Sequence, residues 1–327
     1  MLCRVADSLF WISRYFERAE NIVRFVDVTL LTLLESEQAS DEINYEIWSP
    51  ILSSLGDRAL FESLYDEHTS ANVTEFLMFN RENPSSVFSC IASARENARM
   101  VRDQISAEMW AVINKLYLYI KEQDQDRICR ELESDFFDRI KHDSSLFQGV
   151  TDSTFSHRTG FFFMECGKFL ERADKTSRIL NSKQFMRTNE EVYDALEAAQ
   201  WSAILKGCSA SEAFYQHDSA DVNAQSVLFL LLLDHTFPRS VIYCVQQLQL
   251  AMHNISGCPI THFRNEAERN TGMLLSDLNY YHAGDLDTEK GTLFIENIQN
   301  ILENIALELS DKYMFFDIVD PAAEVEQ

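Results

Sequence analysis

Glycine and proline are scarce in this chain, which has only 9 Gly and 5 Pro in 327 residues. Because these residues mark tight turns, their scarcity disfavours a fold of many short strands and favours long helices. The sequence also has no sustained alternation of apolar and polar residues, which argues against a half-buried sheet. Its longest apolar run, residues 227–233, is too short to span a bilayer.

Basic residues are also few, since 28 Lys and Arg stand against 52 Asp and Glu, for a net charge of −24. Nucleic acids and anionic membranes are bound through basic surfaces, so we expect neither as a partner. The acidity is explained by general solubility or by a basic partner surface, and we favour solubility. Charged residues such as Arg4, Asp7 and Arg14 interrupt any signal-peptide core, so we expect a cytoplasmic protein.

The sequence lacks the common motifs of metal, nucleotide and covalent chemistry. Its 7 Cys are odd in number and include no C-x-x-C pair, so we expect small core residues in a reducing cytoplasm. Among the 8 His there is no H-E-x-x-H, and P-loop, G-x-G-x-x-G and G-x-S-x-G patterns are absent. The sequence therefore predicts no metal site and no cofactor.

A repeat runs through the chain at a nearly constant offset of 154 residues (171 − 17). The segment at 17–20, Glu-Arg-Ala-Glu, recurs at 171–174 as Glu-Arg-Ala-Asp. Other pairs at this offset are Arg24 and Arg178, Val73 and Val227, Pro84 and Pro238, Ser86 and Ser240, and Cys90 and Cys244. An offset kept over so many positions indicates that a multi-helix segment is duplicated.

We therefore predict an all-α fold, an internally duplicated multi-helix bundle with pseudo-twofold symmetry. The two repeats cover about residues 1–150 and about residues 155–327. Each repeat alone would expose apolar helix faces, so we expect a single structural unit over residues 1–327 with a continuous core. Helical periodicity predicts helices at 3–35, 46–66, 70–80, 84–121, 124–143, 157–182, 188–214, 220–235, 238–254, 263–282 and 289–314.

One face of the repeated helix is charged, opposite an apolar stripe. Such a face is ordinarily solvated and holds i,i+4 ion pairs, here Glu20–Arg24 and Asp174–Arg178, of roughly 0.2–0.5 kcal/mol each. However, Phe10 and Phe25 fall within the charged arc, and Met164 and Ile179 repeat them in the second copy. A solvated face need not repeat apolar residues, so we expect this face to pack against the other half or a ligand.

Packing of this face would desolvate its charges. We therefore expect Glu17, Arg18, Glu171 and Arg172 to be substantially buried and paired, because breaking a buried pair costs roughly 3–5 kcal/mol. A structural ion-pair network and a binding site both remain open, and we favour the network. The candidate binding residues are Arg14, Glu17, Arg18, Glu20, Arg24, Lys168, Glu171, Arg172, Asp174, Arg178 and Arg239.

Pro84 and Pro238 each follow a turn and are expected at the first position of a helix. Free backbone N–H groups at such a position, with Arg239 beside them, would suit a carboxylate or phosphate. An ordinary helix start is the favoured interpretation.

Several segments resemble a known family. The first 21 residues, MLCRVADSLFWISRYFERAEN, look like the start of the bacterial alpha-E family, an all-helical family named for its Glu-Arg motif. Residues 93–99 (SARENAR), 169–178 (FLERADKTSR) and 237–241 (FPRSV) resemble further family motifs, and the similarity covers nearly the whole chain. Lys168 departs from the family's more frequent Arg, which keeps the charge but loses a bidentate donor.

The resemblance implies a cellular context. Alpha-E proteins are typically found beside, or fused to, a circularly permuted ATP-grasp protein of the amide-ligase type, with transglutaminase-like or proteasome-like hydrolases nearby. This implies a non-catalytic accessory or scaffold protein that binds such a ligase, with a peptide or small anionic molecule as its ligand. The alternative is an enzyme of amide or peptide chemistry that uses the paired Glu-Arg clusters. The missing nucleotide cradle, metal set and activated nucleophile favour the accessory protein.

Overall fold

The computed structural model describes residues 1–35, 41–131, 134–185, 194–217 and 222–314, and every regular element in these ranges is helical. The α-helices are α1 (Cys3–Glu35), α2 (Asp41–Leu55), α3 (Arg58–Leu64), α4 (Ser70–Met78), α5 (Val87–Met100), α6 (Ala107–Lys121), α7 (Gln125–Glu131), α8 (Ser134–Thr154), α9 (Thr159–Phe185), α10 (Asp194–Gly207), α11 (Ser211–His217), α12 (Ala224–Leu233), α13 (Val241–Ser256), α14 (Glu266–Tyr280) and α15 (Glu289–Tyr313), with a 3-10 helix (Ala283–Asp285) before α15. The prediction of an all-α protein is confirmed. None of these helices combines the length and the apolar character needed to cross a membrane.

The long helices α1 and α9 pack against each other at the centre of the bundle. Around them, α4, α5, α8 and α10 pack on α1, while α2, α12, α13 and α15 pack on α9. Helix α2 therefore follows α1 in sequence but covers α9, and α10 follows α9 but covers α1. Buried apolar side chains from both halves form one core cluster, which includes Ile12, Phe16, Leu170 and Ala173.

Gly167 lets the two central helices approach closely. A Cβ atom at this position would lie 2.2 Å from the backbone oxygen of Phe10. Because the obstacle is backbone, it cannot rotate away as the tip of a side chain can. The absence of a side chain at 167 thus sets the distance between α1 and α9.

The helices of the second predicted repeat begin at positions that match those of the first. Helices α4 and α5 begin at Ser70 and Val87, and α12 and α13 begin 154 residues later at Ala224 and Val241. This agreement is what a duplication would give. The pseudo-twofold symmetry itself stays a prediction.

Two predicted helices are each divided in the structure by a local signal within them. Residues 84–121 form α5 and α6, because the Ser106 hydroxyl caps α6 by accepting the Met109 N–H at 3.0 Å. The predicted helix 46–66 breaks after α2, where Gly56 has a φ of +81°, a left-handed conformation that glycine adopts at no steric cost. Neither signal interrupts the apolar periodicity on which the predictions rested.

Other observed helix bounds also differ from the predicted ones. The predicted helix 188–214 breaks between α10 and α11, where Ser209 has a φ of +52°, and residues 188–193 lie outside the described part of the chain. Within the predicted helix 124–143 the structure describes α7 and α8, residues 132–133 lie outside the described part of the chain, and α8 continues to Thr154. The prediction that Pro84 and Pro238 occupy the first helical position is also wrong. Helices α5 and α13 begin three residues later, after N-cap serines.

Those serines explain the shifted helix starts. The hydroxyls of Ser86 and Ser240 accept the N–H groups of Ser89 and Tyr243, each at 3.2 Å. A serine hydroxyl at the N-cap satisfies one of the unpaired N–H groups of the first turn. The prolines therefore shape the approach to each helix instead of its first turn.

Replacing Ser240 by alanine is expected to lower the free energy of unfolding by about 1 kcal/mol, because Ser240 is buried and its removal leaves the Tyr243 N–H without its acceptor. Urea unfolding of the purified chain would measure the change. As a matched control, the exposed Ser63 donates only to the Leu60 carbonyl, so Ser63→Ala should stay within about 0.5 kcal/mol. Equal changes in both variants would contradict a capping role for Ser240.

Candidate functional site

The first group of charges, here called the Glu171 cluster, consists of Glu171, Arg14, Arg18 and Lys175. Glu171 on α9 accepts from Arg14 Nε at 2.8 Å through Oε2 and from Arg18 Nε at 2.6 Å through Oε1. Arg18 adds a second bond from Nη2 to Oε2 at 3.1 Å, which makes its contact bidentate. Lys175 Nζ lies 3.8 Å from Oε1. Three cations therefore face one fully buried carboxylate.

The second group, here called the Glu17 cluster, begins with a bidentate pair between Glu17 on α1 and Arg172 on α9. Arg172 donates through Nε to Oε2 at 3.0 Å and through Nη2 to Oε1. Gln148 on α8 donates to the same carboxylate at 2.7 Å. Both oxygens of Glu17 are thus occupied by neighbouring side chains.

Glu20 extends the Glu17 cluster by one helical turn. Its Oε1 accepts from Arg24 Nε at 2.9 Å and from Arg239 Nη2 at 2.6 Å. Arg239, which precedes α13, also lies 3.8 Å from Glu17. The Glu17 cluster therefore comprises Glu17, Glu20, Arg24, Gln148, Arg172 and Arg239, and it connects α1, α8, α9 and the start of α13.

Each motif glutamate pairs with the arginine that follows the other one: Glu17 with Arg172, and Glu171 with Arg18. Such reciprocal contacts are the pattern that a twofold interface produces. Glu17 is 1% exposed, Glu171 0% and Arg172 6%, and the Arg18 side chain is 17% exposed. The prediction that these four residues are substantially buried and paired is confirmed.

The remaining candidate binding residues differ in how they relate to the two Glu-Arg clusters. Asp174 pairs with Arg178 at 2.8 Å and lies 3.5 Å from Lys175, at the edge of the Glu171 cluster. Lys168 pairs with Glu165 and joins neither cluster. Arg239 binds Glu20, and the helix after it is capped by serine, which agrees with the favoured interpretation of an ordinary helix start. Binding of a ligand by any of these residues stays a prediction.

Neighbouring cations lower the pKa of Glu171 and of Glu20. Burial alone would raise the pKa of Glu171, but Arg18, Arg14 and Lys175 hold it well below its usual range. Burial likewise opposes ionisation of Glu20, yet Arg239 and Arg24 lower its pKa. For Arg18, burial would lower the pKa, and the charge of Glu171 raises it instead. These side chains are charge partners and are poorly suited to exchange protons near neutral pH.

A buried cysteine stands beside each cluster at the repeat offset. Burial raises the pKa of Cys90 to about 12, and it raises that of Cys244 to about 12 as well. A thiol with such a pKa stays protonated, and the thiolate is the nucleophile. Neither cysteine is therefore an activated nucleophile.

The sequence pattern did not reveal Gln148 or Asp57. Asp57 lies before α3 and is buried, and its Oδ2 has no hydrogen-bond partner within the described residues. Burial raises the pKa of Asp57, although Lys175 and Arg18 act in the opposite direction. The offset places Leu302 and Ser211 opposite Gln148 and Asp57, so no repetition marked either residue.

Replacing Asp57 by asparagine is expected to raise stability at pH 7 by about 1 kcal/mol, since it removes a buried carboxylate with an unpaired oxygen. The folded-state pKa is raised, so the carboxyl favours folding at pH below its unfolded value near 3.9 and loses that contribution as pH rises. The gain should therefore shrink as pH falls towards 4. Urea unfolding at several pH values would measure it, with the exposed Asp277→Asn as control. A loss of stability at pH 7 would contradict this account.

The fold and the two clusters define an all-helical protein whose central helices are joined by buried Glu-Arg pairs. The chain belongs to the Alpha-E family, whose model, described as an α-helical domain with a conserved ER motif, matches residues 1–314. The Glu-Arg pairs at 17–18 and 171–172 are ER sequences of this kind.

Curated relatives come from mycobacteria. Uncharacterized proteins of Mycobacterium bovis and of two Mycobacterium tuberculosis strains are each 23% identical to this chain over 323 residues. The matches cover 94% of this chain but 36% of each relative, so the chain spans about a third of their length. No solved structure matches the chain.

Proposed function

We propose that this chain is a non-catalytic helical accessory module that binds an ATP-grasp-type amide ligase, in a system that makes or modifies a peptide-like product. The observation that carries this proposal is the reciprocal burial of the Glu-Arg pairs between α1 and α9. The oxygens of Glu171 are taken by Arg14 and Arg18, and its low pKa disfavours proton transfer. The ER motif thus serves to hold the bundle together.

The choice of partner rests on the family resemblance, because alpha-E proteins occur beside or fused to ATP-grasp proteins. Mycobacterial relatives that are almost three times as long support a module that works next to other domains. The net charge of −24 disfavours nucleic acids and anionic membranes as alternative partners. Seven free cysteines suit a reducing cytoplasm, which we propose as its location.

The module itself is proposed to be one unit made of two repeats, about 1–150 and about 155–327, with pseudo-twofold symmetry. The equal helix order and the reciprocal Glu-Arg pairs support this proposal. So does the packing of α2 on α9 and of α10 on α1, because each half covers the long helix of the other.

The proposed function is tested by comparing three samples: the chain alone, the ATP-grasp-type protein of the same cell alone, and the two together. ADP release and amide formation should be absent with the chain alone. They should rise when the chain is added to the ligase, with saturation at a stoichiometric amount of chain. Calorimetric titration should give binding at the same ratio. Absence of both binding and a rate change would rule out the accessory role.

The alternative, an enzyme of amide or peptide chemistry, is favoured by one observation. Lys175 is 3.8 Å from Glu171 and 3.5 Å from Asp174, and Asp57 Oδ2 lacks a partner within the described residues. Within this less completely paired region Lys175 would offer its positive charge to a peptide carboxylate or a small anionic ligand. Turnover of ATP or an amide substrate by the purified chain alone would support the enzyme and contradict the accessory role.

A further inference from the structure

Three potential metal ligands meet at the junction of α13 and α14, away from the two Glu-Arg clusters. They are His253 near the end of α13, Cys258 in the loop that follows, and Glu268 in the first turn of α14. One potential ligand atom of each lies within 4.8 Å of the other two, and all three residues are buried. We propose that this set, here called the His-Cys-Glu site, binds a divalent transition-metal ion, with Zn²⁺ as the best match.

The imidazole of His253 is fixed by a hydrogen bond to the backbone. Its Nδ1 lies 2.9 Å from the backbone carbonyl of Cys258, which can only accept a hydrogen bond. In the neutral ring Nδ1 therefore carries the proton, and the lone pair is on Nε2. Histidines that bind metals commonly donate their other ring N–H to a backbone carbonyl in this way, which fixes both tautomer and orientation.

The carboxylate of Glu268 is held in place by the start of α14. It accepts from the backbone N–H of Arg264 at 2.7 Å and from the side-chain amide of Asn265 at 2.9 Å. Asn265 in turn caps the helix by accepting the N–H of Glu268 at 3.0 Å. An ionised carboxylate offers about four lone-pair positions, so these two bonds leave capacity for a metal.

The donor set suits Zn²⁺ in chemistry and in charge. Imidazole nitrogen, thiolate sulfur and carboxylate oxygen are its ordinary ligands, and three protein ligands leave a fourth position for water. Binding would form the metal–sulfur bond as the Cys258 thiol gives its proton to solvent. Thiolate and carboxylate together then carry two negative charges, which neutralise the divalent ion inside the protein.

Binding of Zn²⁺ requires the three ligand atoms of the His-Cys-Glu site to move slightly closer together. Tetrahedral zinc, with bonds of roughly 2.0–2.3 Å, places neighbouring ligand atoms about 3.5 Å apart. The ligand atoms must therefore move together by about 1 Å from their separation of up to 4.8 Å. Cys258 is suited to this movement because it follows the left-handed C-cap Gly257 and lies in a loop instead of a helix.

Packing of the two helices does not by itself require the residues of the His-Cys-Glu site. Arg99 stands at the repeat position of His253, and the third residue of α6 is Met109 where the third residue of α14 is Glu268, yet α5 packs on α6 just as α13 packs on α14. The sequence predicted no metal site because the spacings of five and ten residues match no common zinc motif. Only the folded structure brings the three ligands together.

Titration of the reduced full-length chain with Co²⁺, a spectroscopic substitute for Zn²⁺, tests the proposal. One Co²⁺ per chain should bind and give a thiolate-to-cobalt charge-transfer absorption in the near ultraviolet, which Zn²⁺ then abolishes by displacement. Cys258→Ser should lose this absorption, and His253→Gln should weaken binding at least about tenfold. Cys129→Ser is the matched control, since Cys129 and Cys258 are both 8% exposed, and it should keep the absorption.

Absence of the absorption in the wild-type chain would overturn the proposal. Its persistence in Cys258→Ser would do so as well, because the metal would then be bound by another thiol. Far-ultraviolet circular dichroism identifies any variant that fails to fold. The wild-type titration alone suffices to overturn the proposal, whether or not the site variants fold.

Discussion

Replacing Glu171 by glutamine is expected to lower the free energy of unfolding by about 3–5 kcal/mol. The substitution keeps the shape of the side chain but leaves Arg14, Arg18 and Lys175 facing no carboxylate in the Glu171 cluster. Urea unfolding at pH 7 would measure the loss. The exposed Glu266 forms a comparable pair with Arg269 on the surface of α14, so Glu266→Gln should change stability by less than about 1 kcal/mol.

The same variant has a defined pH dependence. Because the folded-state pKa of Glu171 is depressed, its ionic contribution is present above the unfolded pKa near 4.3 and is lost as pH falls through the folded value. The stability difference between wild type and Glu171→Gln should therefore be constant around neutrality and narrow only below about pH 4. A difference that narrows already between pH 5 and pH 7 would contradict this assignment.

Glu17→Gln tests whether the two clusters serve the same purpose. If both clusters are structural, the two substitutions should lower stability by similar amounts, and partner-dependent activity should fall only as folded protein is lost. If one cluster binds a ligand, its substitution should abolish activity or partner binding while stability stays nearly unchanged. We expect the structural outcome for at least one copy. Equal losses of activity in both variants without loss of stability would indicate a composite site on the pseudo-twofold axis.

Replacing Gly167 by alanine is expected to lower the free energy of unfolding by about 3 kcal/mol or more. Overpacking a core typically costs about 1–3 kcal/mol, and here the new Cβ would meet backbone at 2.2 Å, so α1 and α9 must move apart. This separation would also stretch the ion pairs of both Glu-Arg clusters. Thermal and urea unfolding would measure the loss.

Gly149 provides the matched control for this substitution. It also lies within a long helix, α8, but a Cβ there would meet nothing within 4 Å. Gly149→Ala should therefore raise stability by about 0.5–1 kcal/mol, because alanine is the better helix former. If Gly167→Ala were as stable as Gly149→Ala, the close crossing of α1 and α9 would be refuted.

The sequence patterns predicted the helical class and most helix positions, because long amphipathic periods are strong local signals. They missed the break before α6 and the break after α2. At residues 101–106 apolar Val101 and Ile105 continue the pattern, and only the Ser106 cap ends it. Ser209 took a left-handed conformation that its residue type does not suggest.

Burial of the charged face was predictable for a specific reason. Repetition of Phe10 and Phe25 as Met164 and Ile179 indicated that the face packs, and the structure brings it between α1 and α9. The crosswise pairing was not predictable, since i,i+4 spacing favours partners on the same helix. Asp57 and Gln148 reach the clusters through tertiary packing alone, and so do the three members of the His-Cys-Glu site.

The crosswise pairing has a consequence for synthesis of the chain on the ribosome. Arg18 and its partner Glu171 are separated by 153 residues, a distance that takes roughly 10–30 s to translate. Until then Glu17 and Arg18 lack their partners on α9. The nascent first half also has a long helix, α1, that α2 does not cover. Slow decoding between the two ER motifs would prolong this exposed interval, during which two nascent chains on one messenger can exchange halves.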